Sequence, residues 1–208
     1  MRIQTPLEEK LNAGTHAIGA LFGLVALVLM VVYQTNKTHW GLFSVTVYGA
    51  SIVLLFSFST LYHYFQREKL KHYFRVLDHI GIYVLIAGTY TPVSLIALEH
   101  SKGWPLFWWV WGIAAFGLVL KLFFTGRFEV FSLLLYLVMG WLIVFDFNSL
   151  SESVGANGVL LLFMGGLAYT VGIVFYAIER IPFNHVIWHL FVLTGAVCHF
   201  FMVFFFVI

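Results

Sequence analysis

The chain has 208 residues, of which 62% are hydrophobic and only 10% charged, with a formal net charge of +2. Soluble domains carry about 25% charged residues, so a water-soluble globular protein is excluded and an integral membrane protein is expected. The weak net charge offers no basic stripe for nucleic acid, and the single cysteine, Cys198, excludes an internal disulfide.

Thr5-Pro6-Leu7-Glu8 opens the chain with a helix-start signature: Thr5 as N-cap, Pro6 at the first helical position, Glu8 three residues after the cap. It predicts a short surface helix within residues 1–15, ahead of the first membrane span. No small-residue cleavage site follows a short apolar core, so a removable signal peptide is not expected. Seven apolar runs then follow, at roughly 16–33, 42–63, 79–98, 104–124, 129–148, 158–178 and 185–208, each about long enough to cross a ~30 Å hydrocarbon core. The period-two alternation of a membrane β-barrel is missing. Gly19 and Gly23 form a small-xxx-small pair in the first run. Pro92 is expected to kink the third. Trp104, Trp108, Trp109 and Trp111 read as an interfacial belt. Asn184 reads as the N-cap of the last helix, after the break at Ile181-Pro182. The prediction is a single all-α domain over residues 1–208, a seven-helix transmembrane bundle.

Basic residues sort the loops. Arg2, Lys10, Arg67, Lys69, Lys71, Arg75, Lys121, Arg127 and Arg180 fall on one side, and only Lys37 and Lys102 on the other. The positive-inside rule then puts the amino terminus in the cytoplasm and the carboxy terminus outside.

That orientation gathers ionisable groups at one depth. His63 closes the second run, Asp78 opens the third, and His185 and His189 open the seventh. Residues four apart share a helix face, about 5–6 Å between Cβ atoms, so His185 and His189 aim at one point. Three histidines leaving one coordination position open is a catalytic zinc pattern, and His63, His185 and His189 are assigned as ligands of Zn2+. Asp78 is either a fourth ligand or, preferably, a proton acceptor beside the metal-bound water. Ser59, four residues before His63, can orient that water or donate to a developing oxyanion. Among the other histidines, His39, His72 and His100 read as boundary residues. His79 is expected to point away from Asp78. His199 sits ~21 Å further along the axis than His185 and reads as a buried helix-to-helix hydrogen bonder. His16 opens the first run, and its role is open between structural and supporting.

The leading expectation is a zinc-dependent hydrolase acting on an amide or ester of a membrane lipid. A membrane-state sensor with structural zinc is the alternative, and a pore or an ion transporter fits less well because no polar path crosses the bilayer.

Five segments also carry a resemblance. Glu9-Lys10-Leu11-Asn12-Ala13-Gly14-Thr15-His16, Ser59-Thr60-Leu61-Tyr62-His63, Leu77-Asp78-His79-Ile80-Gly81-Ile82-Tyr83, Ala87-Gly88-Thr89-Tyr90-Thr91-Pro92, and His185-Val186-Ile187-Trp188-His189 continuing to Cys198-His199-Phe200 occur in that order. The chain resembles the hemolysin III group, the bacterial branch of the progestin and adipoQ receptor family. The resemblance implies a seven-helix bundle with a cytoplasmic amino terminus and zinc on the positions matching His63, His185 and His189. It also implies an aspartate near the zinc water at Asp78, the motif serine at Ser59, and a place in the bacterial plasma membrane. Receptor relatives have been proposed to hydrolyse ceramide, and bacterial members carry a hemolysin label and a link to lipid homeostasis. The short amino terminus and the lack of a tail after the last run argue against hormone recognition.

Overall fold

The computed structural model describes residues 4–208 and is all-helical there, with no strand among the described residues. Arg2, counted with the basic residues above, lies outside them. Helix α1 spans Pro6–Tyr33. The expected capping box forms: Glu8 N donates to Thr5 Oγ1 at 3.2 Å and Thr5 N to Glu8 Oε2 at 2.8 Å. This helix does not stop before the apolar run. Residues 10–16 contain no proline, so the backbone ladder runs through without interruption. The expected separate surface helix is therefore the first turns of α1.

Helix α2 is Gly41–Tyr64 and α3 is Glu68–Pro92. Pro92 is the last α-helical residue, and Val93–Ala97 continue as a π-helical turn. Proline has no N–H for the carbonyl four residues back, so the ladder widens where the sequence predicts a kink. Helix α4 is Gly103–Phe124, α5 is Glu129–Trp141, and Leu142–Asp146 form a 3-10 turn leading into α6, Phe147–Ala177. Residues 149–157, the gap between the fifth and sixth apolar runs, are helical on either side of a break at Gly155, where φ is 65° and ψ is −179°. Ser149, Ser151, Glu152 and Ser153 are polar enough for a loop but carry no helix breaker, and only glycine adopts this positive φ at no cost. Helix α7 is Asn184–Met202, closed by a π-helical turn at Val203–Val207.

Six helical stretches are long and apolar enough to cross a membrane, one of them the 49-residue stretch Glu129–Ala177. Large apolar side chains such as Leu21, Val32, Phe123, Val130 and Phe205 stand exposed on the outside. In water such a surface would aggregate, and in lipid it is the matching one. Helices adjacent in sequence pack against each other, and α1 meets α7 to close a ring. Gly19 and Gly23 both face α2: an added Cβ would lie 2.5 Å from Phe56 Cδ1 and 2.8 Å from Ile52 Cγ2, respectively. Small residues at such positions let membrane helices approach closely. Trp108 and Trp109 are exposed as the belt reading requires. Trp111 is not a belt residue. It turns inward, and its Nε1 donates to Thr91 Oγ1 on α3 at 3.1 Å.

Side-chain contacts identify the two ends of the bundle. At one end Glu9 meets His63 and Lys71, Lys121 meets Glu129, and Phe183 N donates to Glu8. At the other end Lys37 donates to the Val207 carbonyl, and Asp146 accepts from Ser101 Oγ and Lys102 N.

Candidate metal centre

Two helix ends build the centre. His63 comes from the last turn of α2, and His185 and His189 from the first two turns of α7. Their rings lie within 5.1 Å of one another, centroid to centroid. One nitrogen from each falls within 4.8 Å of the other two. His63 and His189 are buried. His185 keeps some exposed surface, yet its Nε2 is shut away. The buried Nε2 atoms of His63 and His185 have no hydrogen-bond partner among the described residues. Buried ring nitrogens are normally paired, so bare ones converging on a point fit a cation. Neutral imidazole is the commonest protein metal ligand. The three histidines can hold a metal ion.

The start of α7 differs from the expectation. Asn184 is not a side-chain cap but the first helical residue, preceded by Phe183 in the left-handed conformation at φ 57°. The Asn184 side chain instead reaches back, and its Nδ2 donates to the Phe175 carbonyl at 3.2 Å. Separately, Glu8 accepts the Phe183 N–H at 3.2 Å, which ties the start of α1 to the residue just before α7. His185 still falls in the first turn.

Around the three histidines the chain places further polar groups. Glu9 Oε2 accepts from His63 Nδ1 at 2.6 Å, and Glu9 Oε1 accepts from Lys71 Nζ at 2.7 Å. His189 Nδ1 donates to the Asn12 carbonyl at 3.2 Å. His16 stacks flat on His189, centroids 3.6 Å apart and planes 7° apart, with no hydrogen-bond partner on either nitrogen. Glu9, Asn12 and His16 are spaced three and four apart, so they share one face of α1. That spacing was the available signal for Glu9 and Asn12. It says which residues face together, but not that they face the metal ligands.

Asp78 and Ser59 line one small cavity with His16, His185 and His189. Ser59 is fully buried, with its hydroxyl beside Asp78. His79, expected to turn away, lines the same cavity; its Nδ1 donates to the Arg75 carbonyl at 2.7 Å and its Nε2 lies 3.8 Å from Glu129. A second, almost wholly apolar cavity adjoins, and Leu55, Ile82, Tyr136, Trp188 and Val192 wall both. His199, far from the centre, lines that apolar cavity and donates from Nε2 to the Leu162 carbonyl of α6 at 3.2 Å, the helix-to-helix bond expected of it.

A ring of apolar helices around converging imidazoles defines a multi-pass membrane protein with a metal-capable histidine cluster. The haemolysin-III related family model matches residues 4–200, and the chain belongs to that family. It is 45% identical to Hemolysin-3 of Bacillus cereus over 202 residues, 97% of this chain and 92% of the relative. It is 44% identical to the Hemolysin-3 homolog of Bacillus subtilis (strain 168) over 200 residues, 96% of this chain and 94% of the relative. The human monocyte to macrophage differentiation factor is 29% identical over 205 residues, 96% of this chain and 84% of the relative.

Proposed function

We propose that His63, His185 and His189 hold Zn2+ and that the protein hydrolyses an amide or ester bond of a membrane lipid. One observation carries the reading: the three imidazoles, Asp78 and Ser59 gather in or beside one small cavity, which shares its wall with an apolar cavity between the helices. A small set of polar groups beside an apolar cavity is the usual make-up of a small-molecule site. An acyl chain in the apolar cavity would bring its carbonyl to the polar one.

Zinc would supply a Lewis acid and make water acidic enough to ionise near neutral pH. The chain's own residues do the rest. Asp78 accepts the proton of the attacking water and returns it to the departing amine or alcohol. Ser59 Oγ–H donates to the developing oxyanion. The surrounding burial excludes bulk water and strengthens both interactions.

The same reading keeps the whole chain as one seven-span domain with a cytoplasmic amino terminus, placed in the plasma membrane. Its support is the path of the 49-residue stretch. Glu129 is paired at the histidine end, Asp146 at the opposite end, and Asn184 bonds Phe175 back at the histidine end. Glu129–Asp146 and the part of α6 after Gly155 thus run in opposite senses; α6 breaks at Gly155, and Phe147 comes back against Phe163 with ring centroids 5.7 Å apart. Lys71, Arg75 and Lys121 lie at the histidine end, as the positive-inside rule requires of a cytoplasmic face.

Elemental analysis of purified wild type against His63→Ala and His185→Ala should show zinc in the first and its loss in both variants. Imidazole also suits iron, nickel and copper, and the same measurement separates them. Chromatography of a lipid panel should show zinc-dependent cleavage that Asp78→Asn abolishes while keeping its zinc. Failure of zinc-loaded wild type to turn over any lipid amide or ester overturns the hydrolase reading.

A further inference from the structure

We infer that the first turns of α1, which supply no metal ligand, set the ligands in place, with Glu9 as the positioning residue of His63; this rests on the metal-binding reading above. The geometry is asymmetric in a useful way. An imidazole that donates from Nδ1 must be the tautomer whose Nε2 carries the free lone pair. Glu9 Oε2, 2.6 Å from His63 Nδ1, and the Asn12 carbonyl, 3.2 Å from His189 Nδ1, both impose that tautomer. The bare Nε2 of His63 is the other half of the same arrangement.

The carboxylate itself is locked. Its second oxygen accepts from Lys71 Nζ at 2.7 Å, so Glu9 cannot rotate away from His63 without breaking that pair. His16 completes the brace by lying parallel on His189 at 3.6 Å. Helix α1 is fixed to the entry of α7 as well, through Glu8 and the Phe183 N–H. One helix face thereby registers two helices, α2 and α7, whose side chains must meet at a point. Partners of this kind are worth about 10–100-fold in metal affinity.

The test is zinc affinity, read by competition with a chelator on full-length detergent-solubilised protein. Glu9→Ala should weaken Zn2+ binding about 10–100-fold. Glu9→Gln, whose amide oxygen still accepts from Nδ1, should fall between Ala and wild type, as should Lys71→Met. The metal-free forms of wild type and Glu9→Gln should melt together, and Co2+ bound to Glu9→Ala should show a shifted visible spectrum. Wild-type zinc affinity in both Glu9 variants overturns the inference. So does an affinity loss matched by an equal loss of stability in the metal-free Glu9→Gln protein, which would make Glu9 merely structural. A wild type that takes up no divalent metal fails at an earlier point, the metal site itself, and is distinguished by its elemental content.

Discussion

Tyr90 offers a sharp test of how the bundle is held together. Its hydroxyl stands between two backbone groups where α5 passes into the 3-10 turn: it donates to the Gly140 carbonyl at 3.0 Å and accepts from Ile143 N at 2.9 Å. The residue is only 7% exposed, so water does not replace the hydroxyl when it is removed. Tyr90→Phe keeps the ring and its packing and orphans one N–H and one C=O. Leaving a buried polar group unpaired costs about 1–3 kcal/mol. Membrane helices recover part of that through alternative partners, which brings the expected loss to about 2 kcal/mol. At about 2–4 °C per kcal/mol for a chain of this size, the melting midpoint should fall by about 4–8 °C. The assay is thermal unfolding of purified protein in detergent, with Tyr33→Phe, an exposed position, as control. A Tyr90→Phe midpoint within about 2 °C of wild type would refute the claim that this hydroxyl bridges the turn.

Other substitutions test separate joints. Gly172→Ala places a Cβ 2.8 Å from Phe191 Cβ and 2.9 Å from Trp188 Cε3, and overpacking of this kind costs about 1–3 kcal/mol; the same melting assay reads it. Glu8→Ala removes the Glu8 half of the capping box and the acceptor of the Phe183 N–H, and should lower stability by about 1–2 kcal/mol, with hydrogen exchange rising first at residues 183–186. Trp111→Phe breaks the bond to Thr91 between α3 and α4 and should cost about 1 kcal/mol in the same melt.

Helix content and the histidine trio were legible in the residues because both depend on local rules. Apolar run length reports a membrane helix, and four-residue spacing reports a shared face, so His185 and His189 could be paired without knowing any neighbour. Charge sorting added His63 at the same depth. What stayed hidden depends on which face meets which. Glu9 is 54 positions from His63, and no periodicity links them. Trp111 has the composition of a belt residue, and only the packing of α4 on α3 turns it inward. The segment 149–157 has loop-like polarity, but its break is confined to Gly155, the residue that adopts a positive φ at no cost. Asn184 has the residue type of a cap, and only the packing of α7 on the end of α6 shows its side chain turned back to the Phe175 carbonyl.

The motif Ala87–Pro92 shows a different kind of legibility. It marks family membership, yet its side chains are used for joinery: Gly88 lies against Ser51, Tyr90 bridges the α5 turn, and Thr91 accepts from Trp111.

The order of the ligands along the chain has a consequence for biogenesis. Only His63 is present once the first helices have been made, while His185 and His189 arrive with the last helix. The three imidazoles converge only when α7 has inserted and closed the ring against α1. Any nascent chain that stalls before residue 184 therefore carries one imidazole of the trio. Metal capture would then report that synthesis and insertion have finished, giving a cell a chemical mark that separates completed molecules from fragments.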